Sequence, residues 1–195
     1  MINPAAITDY KASEYKLQET ILWWICAAGK NGTLTSIYLD NMLSEMEPSR
    51  TEEPFRVLRR LTRETIAHML KRHGIGCYNN KSRSIYELVH SGIDLKTCTA
   101  EELENIYGIG MKTSRCFIIH SREGAQYAGL DTHILKFLGS RGISVPKATP
   151  SSKEQYLKLE KEFLKLAQEA GKSPAALDLE VWNAYSVKVK TNQGG

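Results

Sequence analysis

"IYGIGMKTSRC", residues 106–116, decides how the fold is read. Two glycines stand two apart, and a lysine follows two residues later. Just upstream, Thr99 and Glu102 have the spacing of a capping box, which predicts a short helix over about 100–106. Gly108 and Gly110 end that helix and permit a tight turn into a second one, over about 111–120. The result is a helix-hairpin-helix. In such a turn the glycines let a partner come close, and free N–H groups opening the second helix face an anion such as a phosphate. That contact positions DNA without reading its bases. A plain αα-hairpin fits Gly-Ile-Gly equally well. Lys112 puts a cation in the first turn, where the helix macrodipole favours anions, so either its position is an accident or the amine has a job other than helix stability.

Outward from the hairpin, helical signals dominate. "YKLQETILWWICAA" (15–28) carries a helical stripe at 17, 21, 22, 25 and 28, and "TSIYLDNMLSEM" (35–46) is amphipathic and closed by Pro48. "EPFRVLRRL", "ETIAHMLKRHGIG" and "SRSIYELVHSG" predict three more helices, the last two stopped by glycines. "LDTHILKFLGS" opens with Asp131 as N-cap. A linker at 144–152 leads to a second capping box, Ser151 with Glu154, and a helix with Tyr156, Leu159, Phe163 and Ala167 on one face. Ser173 and Pro174 open the final helix as N-cap and N1. The expectation is an all-α protein of roughly ten helices.

The 195 residues carry 26 Lys and Arg against 22 Asp and Glu, a net charge of +4. From Arg50 to His90 nine basic residues face four acids, which is compatible with a polyanion partner or with an ordinary solvated face. Cys26, Cys77, Cys98 and Cys116 form no CxxC pair and read as reduced thiols of a cytoplasmic or nuclear protein that is not secreted. "ILWWICAA" is too short to span a bilayer, and the histidines lack metal-ligand spacing, so no metal site is expected.

The segment 104–138 resembles the hairpin and catalytic-aspartate region of the helix-hairpin-helix (HhH-GPD) DNA glycosylases, the superfamily of endonuclease III and 8-oxoguanine glycosylase. Gly108, Gly110, Lys112 and Thr113 match the family's Gly-x-Gly-x-Lys-(Thr/Val), and Leu130, Asp131, Thr132 and His133 match its Val-Asp-Thr-His. "GIGCYNNKSRSI" (74–85) matches the family's Tyr-Asn-x-Lys stretch. "LDLEVWNAY" (177–185) is similar to a C-terminal segment of archaeal-type 8-oxoguanine glycosylases, which also lack an iron–sulfur cluster.

The resemblance implies a two-lobed helical fold with a cleft between the lobes. Residues 25–138 would form the helix-hairpin-helix domain, and 1–24 with 139–195 the second lobe. It makes Lys112 the nucleophile that attacks C1′ of a flipped nucleotide. Asp131 would stabilise the oxocarbenium-like sugar and help to take the amine's proton. Gly108, Gly110 and Thr113 would bind DNA phosphate, and Asn31 and Tyr78 would serve base flipping and void filling. Asp178 and Trp182 would line the base pocket. The implied activity is a bifunctional DNA glycosylase and AP lyase of base excision repair acting, as a monomer, on double-stranded DNA that carries 8-oxoguanine. A different oxidised or hypermodified base stays open, as does a non-catalytic DNA-binding hairpin protein. No cysteine follows Cys116, so no thiolate-bound iron–sulfur cluster is expected; the cofactor set is none, with room for a structural monovalent cation at the hairpin.

Overall fold

In a computed structural model that describes residues 1–191, with side chains through Tyr185, the chain is helical throughout. A 3-10 turn at Pro4–Ala6 precedes ten α-helices. These are α1 (Glu14–Ala27), α2 (Gly32–Met46), α3 (Pro54–Leu58), α4 (Arg63–Arg72), α5 (Tyr78–His90), α6 (Ala100–Glu104), α7 (Met111–Ser121), α8 (Thr132–Ser140), α9 (Lys153–Glu169) and α10 (Pro174–Thr191).

Local chemistry sets most of the boundaries. Thr99 and Glu102 form the expected capping box at the start of α6, and Asp131 caps α8 as expected. The second box does not form. Ser152, not Ser151, accepts the Gln155 N–H and starts α9 one residue later. The stripe expected on α1 is also too narrow. Leu17 through Cys26 are all buried, so this helix is enclosed by its neighbours rather than laid on a surface.

Buried side chains gather into two clusters. The first runs from Ile2 through α1, α5 and α6 to Ile118 of α7. The second joins Ala128 and Leu130 to α8, α9 and α10. Ile2, Ile7 and Leu17 pack into the first cluster, and Leu130 through Leu138 into the second. The N-terminal turn touches α10, so the first and last described elements meet. The last four positions of the expected second lobe, 192–195, lie outside the described residues. Among the described residues no helix is long and apolar enough to cross a membrane.

Candidate active site

The hairpin loop is locked onto α5. Gly108 has φ +77, and a Cβ there would fall 2.4 Å from Ser84 Oγ, so both conformation and space call for glycine. The next N–H upstream, at Tyr107, donates to Glu87 (3.0 Å), and the Tyr107 ring lies under the Arg83 guanidinium (3.8 Å). Gly110 differs. Its φ of −93 suits any residue, and nothing lies within 4 Å of a built Cβ. Nothing inside the protein therefore demands a glycine at 110. The start of α7 has no side-chain cap, which leaves its first N–H groups facing outward. Thr113, by contrast, is buried, so its hydroxyl is withdrawn from solvent.

Lys112 begins a row on α7 that continues, at four-residue intervals, through Cys116 and His120. Its Nζ sits over the Trp24 ring, 4.7 Å from the centroid. Opposite this row stands the segment before α8. The Tyr156 hydroxyl donates to Ala128 O (2.7 Å) and accepts from Leu130 N (3.0 Å), while Glu160 accepts from Ala128 N (2.8 Å). Glu160 is itself held by Arg115 Nε (3.0 Å), a guanidinium only 1% exposed that also pairs with Glu104. At Gly129 a Cβ would lie 2.0 Å from Cys116 Sγ, so only glycine allows this segment to run against α7. The segment ends at Asp131, whose Oδ1 accepts from the N–H groups of His133 (2.8 Å) and Ile134 (2.9 Å).

Lys112 and Asp131 thus come to one place, the seam between the two clusters, within electrostatic reach of each other and of Cys116. Burial pushes the Asp131 carboxyl above the ordinary carboxylate range; the Ile134 N–H pulls it back, the Asp178 charge adds to the rise, and Lys112 and His133 oppose it. Burial likewise raises the Cys116 thiol far above its usual value, which keeps it a neutral thiol.

Asp178, one turn into α10, completes the cluster. Its Oδ2 accepts from His120 Nε2 (3.1 Å), and with that tautomer Nδ1 accepts from the Thr8 hydroxyl (2.8 Å). Trp182, half-buried, is one turn farther along α10. Asn31 and Tyr78 have local partners of their own. Asn31 caps α2 by accepting from Leu34 N (3.0 Å), and Tyr78 opens α5 with Lys71 Nζ 5.5 Å from its ring centroid. Their two turns touch, since a Cβ on Gly76 would meet Lys30 Cε and Nζ at 2.9 Å. A groove of about 650 Å³ beside α9, lined by Lys161, Lys165 and Lys172, contains none of these residues.

Sequence reasoning missed Trp24 and His120. Trp24 is hidden inside an apolar run, and His120 was discounted for lack of a metal partner; the i, i+4, i+8 spacing from Lys112 was the available signal. Five of the nine basic residues of 50–90 are ion-paired within the protein. Arg50 pairs with Glu19 and Asp40, Arg56 and Arg60 with Glu52, Arg72 with Glu45 and Arg83 with Glu87, while Lys81 donates to Cys26 O.

Comparison with known proteins bears on the fold and the family. Among solved structures, the 8-oxoguanine DNA glycosylase of Thermotoga maritima superposes with a TM-score of 0.67 at 21% identity, covering 90% of this chain and 82% of that one. An 8-oxoguanine glycosylase/lyase of Methanocaldococcus jannaschii, solved with a 15mer DNA containing 8-oxoguanine, gives 0.67 at 20% identity, with 90% and 83% covered. These likenesses establish the fold. In sequence, the 8-oxoguanine DNA glycosylase/AP lyase of Thermoplasma volcanium is 39% identical over 80 residues, 41% of this chain and 37% of that protein. The protein of the same name from a Thermotoga species is 35% identical over 94 residues, 47% and 42% of the two chains. The chain thus matches less than half the length of these curated relatives. A family model described as 8-oxoguanine DNA glycosylase matches residues 50–172, the stretch that holds the hairpin, Lys112, Asp131 and the braces behind them. By that match, and with the fold in agreement, the chain belongs to the helix-hairpin-helix 8-oxoguanine DNA glycosylase family.

Proposed function

We propose that the protein is a bifunctional DNA glycosylase and AP lyase of base excision repair, with 8-oxoguanine as the favoured base. The observation that carries this reading is the meeting of Lys112 and Asp131 at the seam between the two clusters. Duplex DNA would dock its backbone on the hairpin. There Gly110 has no internal reason to lack a side chain, and the uncapped N–H groups of α7 suit a phosphate. Gly108 shapes that loop, and Thr113 would contribute its backbone N–H. A target inside the stack must be extruded, and Asn31 and Tyr78, on touching turns, are the proposed residues that fill and wedge the gap.

In the proposed chemistry the lone pair of Lys112 Nζ forms a bond to C1′. The glycosidic bond breaks, and its electron pair leaves with the base, which takes up a proton. Opening of the sugar at O4′ then gives an iminium on Nζ, and loss of a 2′ proton expels the 3′-phosphate and nicks the strand. Asp131 suits the acceptance of the amine's proton, because burial raises the carboxyl's affinity for protons. As a carboxylate it also opposes the charge developing on the sugar. Trp182 would stack on the extruded base, and Asp178 would accept from its edge through the oxygen that His120 does not occupy. The reading assigns the chemistry to side chains alone, acting in a monomer. A structural monovalent cation at the hairpin is compatible with it, and a DNA substrate fits a cytoplasmic (nucleoid) or nuclear protein.

Borohydride trapping tests this reading. Wild type is expected to form a covalent adduct with an 8-oxoguanine duplex, and Lys112→Gln to form none. Absence of any adduct across a panel of lesion duplexes, with salt-sensitive DNA binding intact, would instead support a non-catalytic hairpin protein. Adducts confined to another lesion in the panel would move the substrate to that base.

A further inference from the structure

Among the described residues Trp24 is the one aromatic residue whose ring carries the Lys112 amine. Its conformation is fixed from several sides. The His120 ring stacks on it at 5.9 Å between centroids with planes 13° apart, and Trp23 meets it edge-on at 4.6 Å. His120 is in turn held by Thr8 and Asp178. The indole is 7% exposed, and its Nε1–H has no acceptor among the described residues. A buried unpaired donor is a cost to the fold. What the indole offers this site is therefore its π face, which lies 4.7 Å from Nζ.

We propose that Trp24 is a further catalytic residue, whose π face stabilises the positive charge that Lys112 Nζ acquires during bond formation and keeps in the iminium. The inference rests on the glycosylase and lyase reading above. Before attack the reacting amine is neutral. When its lone pair bonds to C1′ and the glycosidic electron pair departs with the base, Nζ becomes cationic. Passing one proton from Nζ to Asp131 and forming the C1′=Nζ bond as the sugar opens restores a cation on the same atom. Nζ remains the end of the same side chain throughout, so the ring stays near the charge. A ring that attracts the cation more than the neutral amine lowers the barrier without tightening substrate binding.

The test replaces Trp24 alone with tryptophans carrying one to several ring fluorines, which weaken the π face at nearly constant shape. Single-turnover adduct formation is read on the alkaline plateau of the pH–rate profile, where the amine is free. The rate is expected to fall with each added fluorine, by about ten-fold across the series. Affinity for the uncleaved lesion duplex and Tm should stay at wild-type values. Trp24→Phe should retain more of the rate than Trp24→Leu, since it keeps a π face and loses no hydrogen bond. A flat fluorinated series, or a loss of rate that tracks a loss of Tm in that series, would overturn the proposal. Failure of wild type itself to trap would sink the glycosylase and lyase reading instead.

Discussion

Asp131 caps α8 through one of its two carboxylate oxygens. Oδ1 takes both N–H groups that open α8, which leaves Oδ2 free of capping. Asn keeps an oxygen for the cap but cannot take a proton or carry charge. Asp131→Asn is therefore expected to slow base release by about 100-fold or more while leaving duplex affinity within about two-fold. Stability should move the other way. The unfolded chain releases this proton near the ordinary Asp value, whereas the folded chain holds it to higher pH because burial disfavours the carboxylate. Between those two points the unfolded state binds fewer protons, so stability falls as pH rises and stays lowered above them. Asn has no such cost. Its Tm relative to wild type should climb as pH rises above the ordinary Asp range, and a constant difference would refute the account. At this scale Lys112 and Asp131 were marked out by the family resemblance of the two motifs that hold them. Trp24 was not, because a tryptophan in an apolar helix carries no local mark of what will lie against its face.

The segment from Ala128 to Leu130 shows what elements add to residues. It has no regular structure, yet α9 supplies Tyr156 and Glu160 to satisfy its backbone, and α7 supplies the surface it runs along. Gly129→Ala puts a Cβ 2.0 Å from Cys116 Sγ, so the segment or α7 must shift. The expected cost is about 1–3 kcal/mol, together with slower adduct formation because Asp131 moves with the segment. Removing the sulfur opens the space, since the next neighbour of that Cβ is Cys116 Cβ at 3.4 Å. Gly129→Ala with Cys116→Ala should accordingly recover part of the loss in a denaturant titration; strict additivity would show that the clash is not the cause. The hairpin's capping box was readable because it is a four-residue pattern. The start of α9 was misplaced by one residue because adjacent serines, Ser151 and Ser152, offer the same cap, and only tertiary packing chooses between them. The enclosure of α1 was likewise invisible in its own sequence, since it depends on helices arriving from both sides.

Across the whole molecule the site depends on how two clusters are held together, and that was the least legible level. The buried clusters follow contacts that no short pattern encodes. Arg115 is a principal tie. From α7 it reaches Glu160 of the second cluster and Glu104 of the hairpin, at 1% exposure. Replacing a buried pair with apolar groups can be neutral, but removing one partner leaves a charge in a poor solvent. Arg115→Met should thus lose about 3–5 kcal/mol, a penalty typical of such orphaned charges. Its pH dependence follows from Glu160. Burial already raises that carboxyl, with the Ala128 N–H and then Arg115 among the forces holding it down, so deleting Arg115 raises it further. The variant can relieve the orphaned charge by binding a proton. Its deficit should be smallest in acid and grow as pH rises through the shifted value, and Arg115→Met with Glu160→Gln should abolish that pH dependence. Thermal unfolding of each variant over a range of pH checks this. A deficit independent of pH would mean that Arg115 acts through packing and that the two clusters are joined by other means.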